Sequence, residues 1–105
     1  MSNGASTGEV SVYKPGVNGY YGRKGNSSSS SVRHLPGGKE GARKFFDNVT
    51  QGYKKERQLD NNKGVIRTMP DGAIIVYRNT SASDKTATVE FNGGQYKEQK
   101  IHFIN

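Results

Sequence analysis

No cysteine occurs among the 105 residues of this chain. That absence excludes a disulfide scaffold, a thiol nucleophile and every zinc site built on thiolates, and it leaves the redox compartment undecided. No run approaches the roughly 18 consecutive apolar residues of a membrane-spanning helix, and the N-terminus lacks the charged-then-apolar pattern of a signal peptide. The reading is therefore a chain with no membrane anchor and no export address of its own. Hydrophobic residues are sparse, at 30%, enough for one modest core over part of the length. Acidic residues are also few, 9 against 16 Lys and Arg, which leaves a formal net charge of +7. A small basic chain of this kind points first to a polyanionic partner.

Several chemistries have no foothold. The two histidines are distant in sequence and the carboxylates do not cluster, so neither a zinc site nor a nuclease magnesium site is signalled, and no cofactor is implied. Gly37-Gly38 and Gly93-Gly94 lack the Lys-Ser/Thr and the strand-loop-helix context of a P-loop. No Gly-x-Ser-x-Gly elbow is present for a serine nucleophile.

What is present falls into two parts. Residues 1–31 are rich in Gly, Ser and Asn, with scattered Tyr13, Tyr20 and Tyr21 and a serine run from Ser27 to Ser31. A segment with no apolar periodicity cannot offset its ordering entropy by burial, so it reads as a flexible arm or linker. Its Tyr20, Tyr21, Arg23 and Lys24 form a cluster suited to stacking on bases and contacting phosphates. Residues 32–105 read as one α+β domain. Ala42, Phe45, Phe46, Val49 and Tyr53 recur at helical spacing, predicting an amphipathic helix over 39–53, with Lys54, Lys55 and Arg57 at its negative end, placed for capping or for phosphate contact. Beyond Asp60 the period becomes extended. Val65 to Thr68 and Ala73 to Arg78 flank a Pro70-Asp71-Gly72 turn, Thr86 to Phe91 reads as a third strand, and Asn92-Gly93-Gly94 leads into a fourth from Lys97 to Ile104. The expected fold is an N-terminal amphipathic helix packed on a four-stranded antiparallel sheet, behind a disordered arm.

Alternation decides which side chains share a face. Ala87, Val89 and Phe91 form one set and Thr86, Thr88 and Glu90 the other; Ile101 and Phe103 oppose Lys100 and His102. The second strand is apolar on both faces. If Ile75 and Tyr77 point to the helix, Arg78 joins Thr88, Glu90 and His102, and Arg67 reaches that face in one of its two registers. Cleaving RNA without a metal needs a base for the 2′-OH, an acid for the leaving 5′ oxygen and cations for the phosphorane. Histidine suits the first two roles and arginine the third, with Thr or Ser adding hydrogen bonds. His102 is one acid/base candidate; His34 or Glu90 is the other. The plainer account is a solvated strand face whose arginines pair with Asp71, Asp84 or Glu90.

An ordered set of segments carries a family resemblance: Arg33-His34-Leu35-Pro36-Gly37-Gly38, Ala42-Arg43-Lys44-Phe45-Phe46, the Gly64 to Thr68 strand, Asp71-Gly72, Tyr77-Arg78, Ser81-Ala82-Ser83-Asp84, Thr88-Val89-Glu90-Phe91 and Lys100-Ile101-His102-Phe103. Together they resemble the C-terminal ribonuclease toxin domains of bacterial polymorphic toxins, including those of contact-dependent growth inhibition proteins. The resemblance implies a barnase/EndoU/colicin/RelE-like fold that cleaves RNA, often tRNA, on an open sheet face. Carried onto this chain, it implicates His34, Arg67, Arg78, Thr88 and His102 as catalytic residues and Ser81 and Ser83 as contacts in the loop. Lys100, Lys54, Lys55 and Arg57 complete the substrate-binding set on grounds of charge. It also implies a cognate immunity or antitoxin protein, and action in the bacterial cytoplasm of a target cell. Such domains follow a long delivery protein, whereas this chain opens on Met1 and a short Ser/Gly-rich arm.

The expectation is thus a metal-independent endoribonuclease toxin giving 2′,3′-cyclic phosphate and 5′-hydroxyl ends. A non-catalytic basic RNA-binding module is the alternative, and an inactive interaction domain with charge for solubility is a third.

Overall fold

The computed structural model describes residues 14–25, 28–80 and 85–104. Two strands, β1 (Arg23–Lys24) and β2 (Val32–Pro36), precede the helix α1 (Gly38–Val49); β3 (Lys55–Gln58), β4 (Gly64–Thr68), β5 (Ile74–Arg78), β6 (Ala87–Asn92) and β7 (Gln99–Ile104) follow it. The seven strands form one sheet in the order β1-β2-β7-β6-β5-β4-β3. Neighbours are antiparallel except β2 and β7, which run parallel.

This corrects the expected architecture. The sheet has seven strands and is mixed, and the helix is flanked by strands on both sides in sequence instead of standing at the N-terminus. The added strands lack the signature that reveals a strand from pattern alone. β3 is Lys-Glu-Arg-Gln with every residue exposed, so it is held by backbone pairing to β4 and not by burial. β2 buries only Arg33 and Leu35, a cation and one apolar residue.

Helix α1 presents Ala42, Phe45, Phe46 and Val49 along a single stripe, and all four are buried. Opposite them lie Leu35, Val65, Ile75, Tyr77, Val89, Phe91, Ile101 and Phe103. Burying each of these larger side chains stabilises the fold by roughly 1.5–3 kcal/mol. The helix is entered through Gly37, the residue before its first turn, whose φ of 116° is open to glycine and strained for other residues. It stops four residues short of the expected end, where the Thr50 hydroxyl donates back to the Phe46 carbonyl at 2.7 Å.

At the far end of the sheet the side chain of Asp71 joins two turns: one carboxylate oxygen accepts from Ala73 N at 3.0 Å and the other from Gln95 N at 3.0 Å. The β4–β5 and β6–β7 hairpins are thereby tied together.

Residues 19–25, expected within a disordered arm, are built into the fold. Tyr21 is 3% exposed and belongs to the core. Its ring meets Phe45 edge-on at 5.0 Å and Phe91 at 5.3 Å. Arg33 fastens the segment from below, donating to the carbonyls of Tyr21 (2.9 Å), Gly22 (3.0 Å) and Ser30 (3.1 Å). Gln99 holds it from the other side, accepting from Tyr21 N and donating to Gly19 O. Residues 1–13, 26 and 27 lie outside the described set.

Candidate active site

Directly paired residues on neighbouring strands carry their side chains to the same face. One cross-strand row on the face away from α1 reads Arg23, His34, His102, Thr88, Arg78, Gly64 from β1 through β4. Four of the expected catalytic residues, His34, His102, Thr88 and Arg78, are consecutive in it. Neighbouring strands lie about 4.8 Å apart, so the four span on the order of 15 Å.

The two histidines face each other across the parallel β2–β7 pair. Their rings are 5.9 Å apart, centre to centre, at an interplanar angle of 68°. His102 Nδ1 lies 2.9 Å from the Thr86 hydroxyl, and the tautomer decides which of the two donates. That contact fixes the imidazole's rotation. Beside it, Thr88 is 1% exposed and its hydroxyl oxygen has no hydrogen-bond partner among the described residues. A buried hydroxyl left without a partner is costly, and such atoms concentrate where a ligand or water supplies the missing bond. Arg78 closes the row and is exposed. Across from it Gly64 contributes no side chain, since a Cβ there would collide with the Tyr77 carbonyl oxygen.

His102 is 6% exposed, not the open surface residue that alternation predicts. Arg23 and Arg78 are exposed and His34 is half-buried, so an anion reaching the row meets these three first.

Arg67 must be removed from the catalytic set. It pairs with Ile75, which faces the helix, and is 8% exposed. Its guanidinium contacts Glu56 at 2.7 Å, Asp47 at 2.8 Å and the Thr50 hydroxyl at 2.9 Å. It is also stacked between Phe46 and Tyr53, 4.7 and 4.5 Å from their ring centres. Burial pulls its pKa down, but the bonds to Glu56 and Asp47 outweigh that and leave it raised. Every feature is that of a cation locking the helix end to β3 and β4.

The remaining expected residues are dispersed. Lys100 and Glu90 are paired opposite each other on the face that carries the histidines, one row along. Lys55 and Arg57 lie on that same face but at the β3 edge, four strands from β7, and Lys54 precedes that strand as an exposed residue. Ser81 and Ser83 lie outside the described residues. Of the tyrosine cluster, Tyr21 is buried and cannot stack on bases, and Tyr20 has Arg33 and Lys97 each 4.9 Å from its ring centre. A surface cavity of about 570 Å³ is lined by residues including Lys14, Tyr20 and Arg33, and neither histidine is among its lining residues. The row is accessible at Arg23, His34 and Arg78 and buried at His102 and Thr88.

Thr86, the contact of His102 Nδ1, has a place on the polar face by alternation but no role that alternation assigns. Arg23 is read from sequence only as part of an arm cluster suited to phosphate contact; its pairing with His34, through a strand two residues long, carries no pattern signal. Compared with family models, curated proteins and solved structures, the chain matches none.

Proposed function

We propose that this chain is a metal-independent endoribonuclease acting on the face that carries the His34–His102 pair. The single observation behind this reading is the juxtaposition of two imidazoles 5.9 Å apart with the buried Thr88 hydroxyl, unpartnered among the described residues, and the exposed Arg78 in one row. One imidazole takes the proton of the 2′-OH as its oxygen forms a bond to phosphorus. The other protonates the 5′ oxygen as the P–O5′ bond breaks. Arg78 balances the charge that builds on the non-bridging oxygens, and the Thr88 hydroxyl donates to one of them. The products are a 2′,3′-cyclic phosphate and a 5′-hydroxyl.

The formal charge of +7 supports an RNA substrate, with tRNA the proposed form. No helix among the described residues is long and apolar enough to cross a membrane. A toxin role in the bacterial cytoplasm and an immunity protein with an acidic contact surface complete the proposal; complementary potential is what would steer such a partner onto the basic face.

Burial of His102 favours a second reading, a basic sheet that binds RNA without cutting it. Incubation with total tRNA in EDTA separates the two. Cleavage with cyclic-phosphate ends, lost when the 2′-OH is replaced by hydrogen, is the expected outcome; binding without cleavage supports the second reading. His34→Gln and His102→Gln should each lower the rate on the order of 100-fold to 10,000-fold.

A further inference from the structure

The N-terminal segment does more than pack. Arg23 pairs directly with His34, which puts its side chain on the face that carries the two histidines, and it is exposed there. Lys24, the next residue, pairs with Arg33 and turns toward the opposite face. The segment cannot drift from this register, because Tyr21 is embedded among Phe45 and Phe91 while Arg33 and Gln99 hold its backbone. At its other end Gly25 lies against His34: a Cβ built at Gly25 would fall 2.8 Å from His34 Nε2. The segment that delivers Arg23 therefore also runs close beside this imidazole, leaving no room for a side chain at Gly25.

We infer that Arg23 is a phosphate-binding residue of the RNA site, set next to His34 by the anchored N-terminal strand. Arg78 and Arg23 then stand at opposite ends of the row, with His34, His102 and Thr88 between them. Two cations so placed can hold successive phosphates of one strand on either side of the bond to be cut. This rests on the ribonuclease reading for the identity of the cut bond, while the phosphate contact itself can be measured without cleavage.

The test uses the full chain and a single-stranded RNA oligonucleotide with 2′-O-methyl substitution throughout, so that it binds and is not cut. Affinity is measured from low to moderate salt for the wild type, Arg23→Ala and Lys24→Ala, with thermal melting to confirm folding. Each phosphate contact in a single strand adds roughly 0.7 to the slope of log affinity against log salt. Arg23→Ala should lower the slope by about that amount, and Lys24→Ala should leave it unchanged. Equal effects from the two variants, no effect from Arg23→Ala, or no binding by the wild type would overturn the inference. Cleavage of unmodified RNA by the wild type is scored separately. A wild type that shows the Arg23 signature but never cleaves removes the ribonuclease reading and keeps the phosphate site. A wild type that cleaves while Arg23→Ala binds normally does the reverse.

Discussion

Arg67 and Arg78 belong to the two strands of one hairpin and leave the sheet on opposite faces. Arg67 pairs with Ile75 on the helix side, and Arg78 pairs with Thr88 in the histidine row. Two residues of the same type, both consistent with phosphate binding on sequence grounds, are separated by the parity of their positions. One is a structural cation enclosed by two rings and two carboxylates, the other an exposed group beside the proposed chemistry.

The two arginines should therefore fail in different assays. Arg67→Ala removes charge-assisted hydrogen bonds and a double cation–π stack, a loss on the order of 2–3 kcal/mol once partial exposure of Asp47 and Glu56 is allowed for. For a domain of this size that corresponds to roughly 10–20 °C in Tm. Arg78→Ala should stay within about 0.5 kcal/mol of the wild type and lose RNA cleavage. Melting curves and cleavage rates measured well below each Tm decide it; a stable Arg67→Ala with no activity would return Arg67 to the active site.

Thr88 allows a test in which stability and activity move apart. Its hydroxyl is buried without a partner among the described residues, so Thr88→Val, which keeps the shape and removes the oxygen, should be neutral or stabilising by up to about 1 kcal/mol. Cleavage should fall at least tenfold, since the proposed donor to the phosphate is gone. A variant that is destabilised and fully active would show that the hydroxyl serves packing alone.

The N-terminal segment should be a structural requirement from Tyr21 onward. Tyr21→Ala removes a ring packed on Phe45 and Phe91, and large-to-small changes of this kind cost about 3–5 kcal/mol. Deleting residues 1–25 should cost at least as much, because Arg33 also loses its acceptors at Tyr21 and Gly22. Chemical denaturation of both variants reads this out. Wild-type stability after the deletion would mean that the segment is an arm after all.

Alkaline pH should unfold the protein through the same residue. Burial, with a smaller contribution from neighbouring Tyr96, pushes the Tyr21 phenol up from its ordinary value of 10.0 to about 12. A group whose folded pKa is raised keeps its full contribution below the unfolded pKa and loses it as pH rises toward the folded one. Stability should accordingly hold up to about pH 10 and decline between about pH 10 and 12. Tyr21→Phe should flatten that decline in part, the rest coming from Tyr77 and Tyr96, both also raised by burial. An unchanged decline in Tyr21→Phe would remove Tyr21 as its source.

Local pattern was enough for some of this. The helical stripe of Ala42, Phe45, Phe46 and Val49, the four strands from Gly64 to Ile104 and the turns between them follow from side-chain period and turn chemistry. Gly72 and Gly93 do adopt the positive φ, 93° and 76°, that their turn positions require. The common face of Thr88 and His102 was legible too, because alternation within a strand needs no knowledge of the rest of the chain.

Parity on strands without a clear apolar side was decided only by the assembled sheet. β5 carries Ile74, Ile75, Val76 and Tyr77 in succession, so nothing local says which pair meets the helix; burial of Ile75 and Tyr77 under α1 settles it and sends Arg78 to the histidine face. The same register turns Arg67 inward to Asp47 and Glu56. β1, β2 and β3 carry too few apolar residues to announce themselves, and they exist because an unpaired strand edge is a row of unsatisfied donors and acceptors that a neighbouring segment can pair. His34 meets His102 through such pairing, between segments far apart in the chain. Period is a property of a few consecutive residues; which distant strand lies alongside depends on the free energy of the whole sheet.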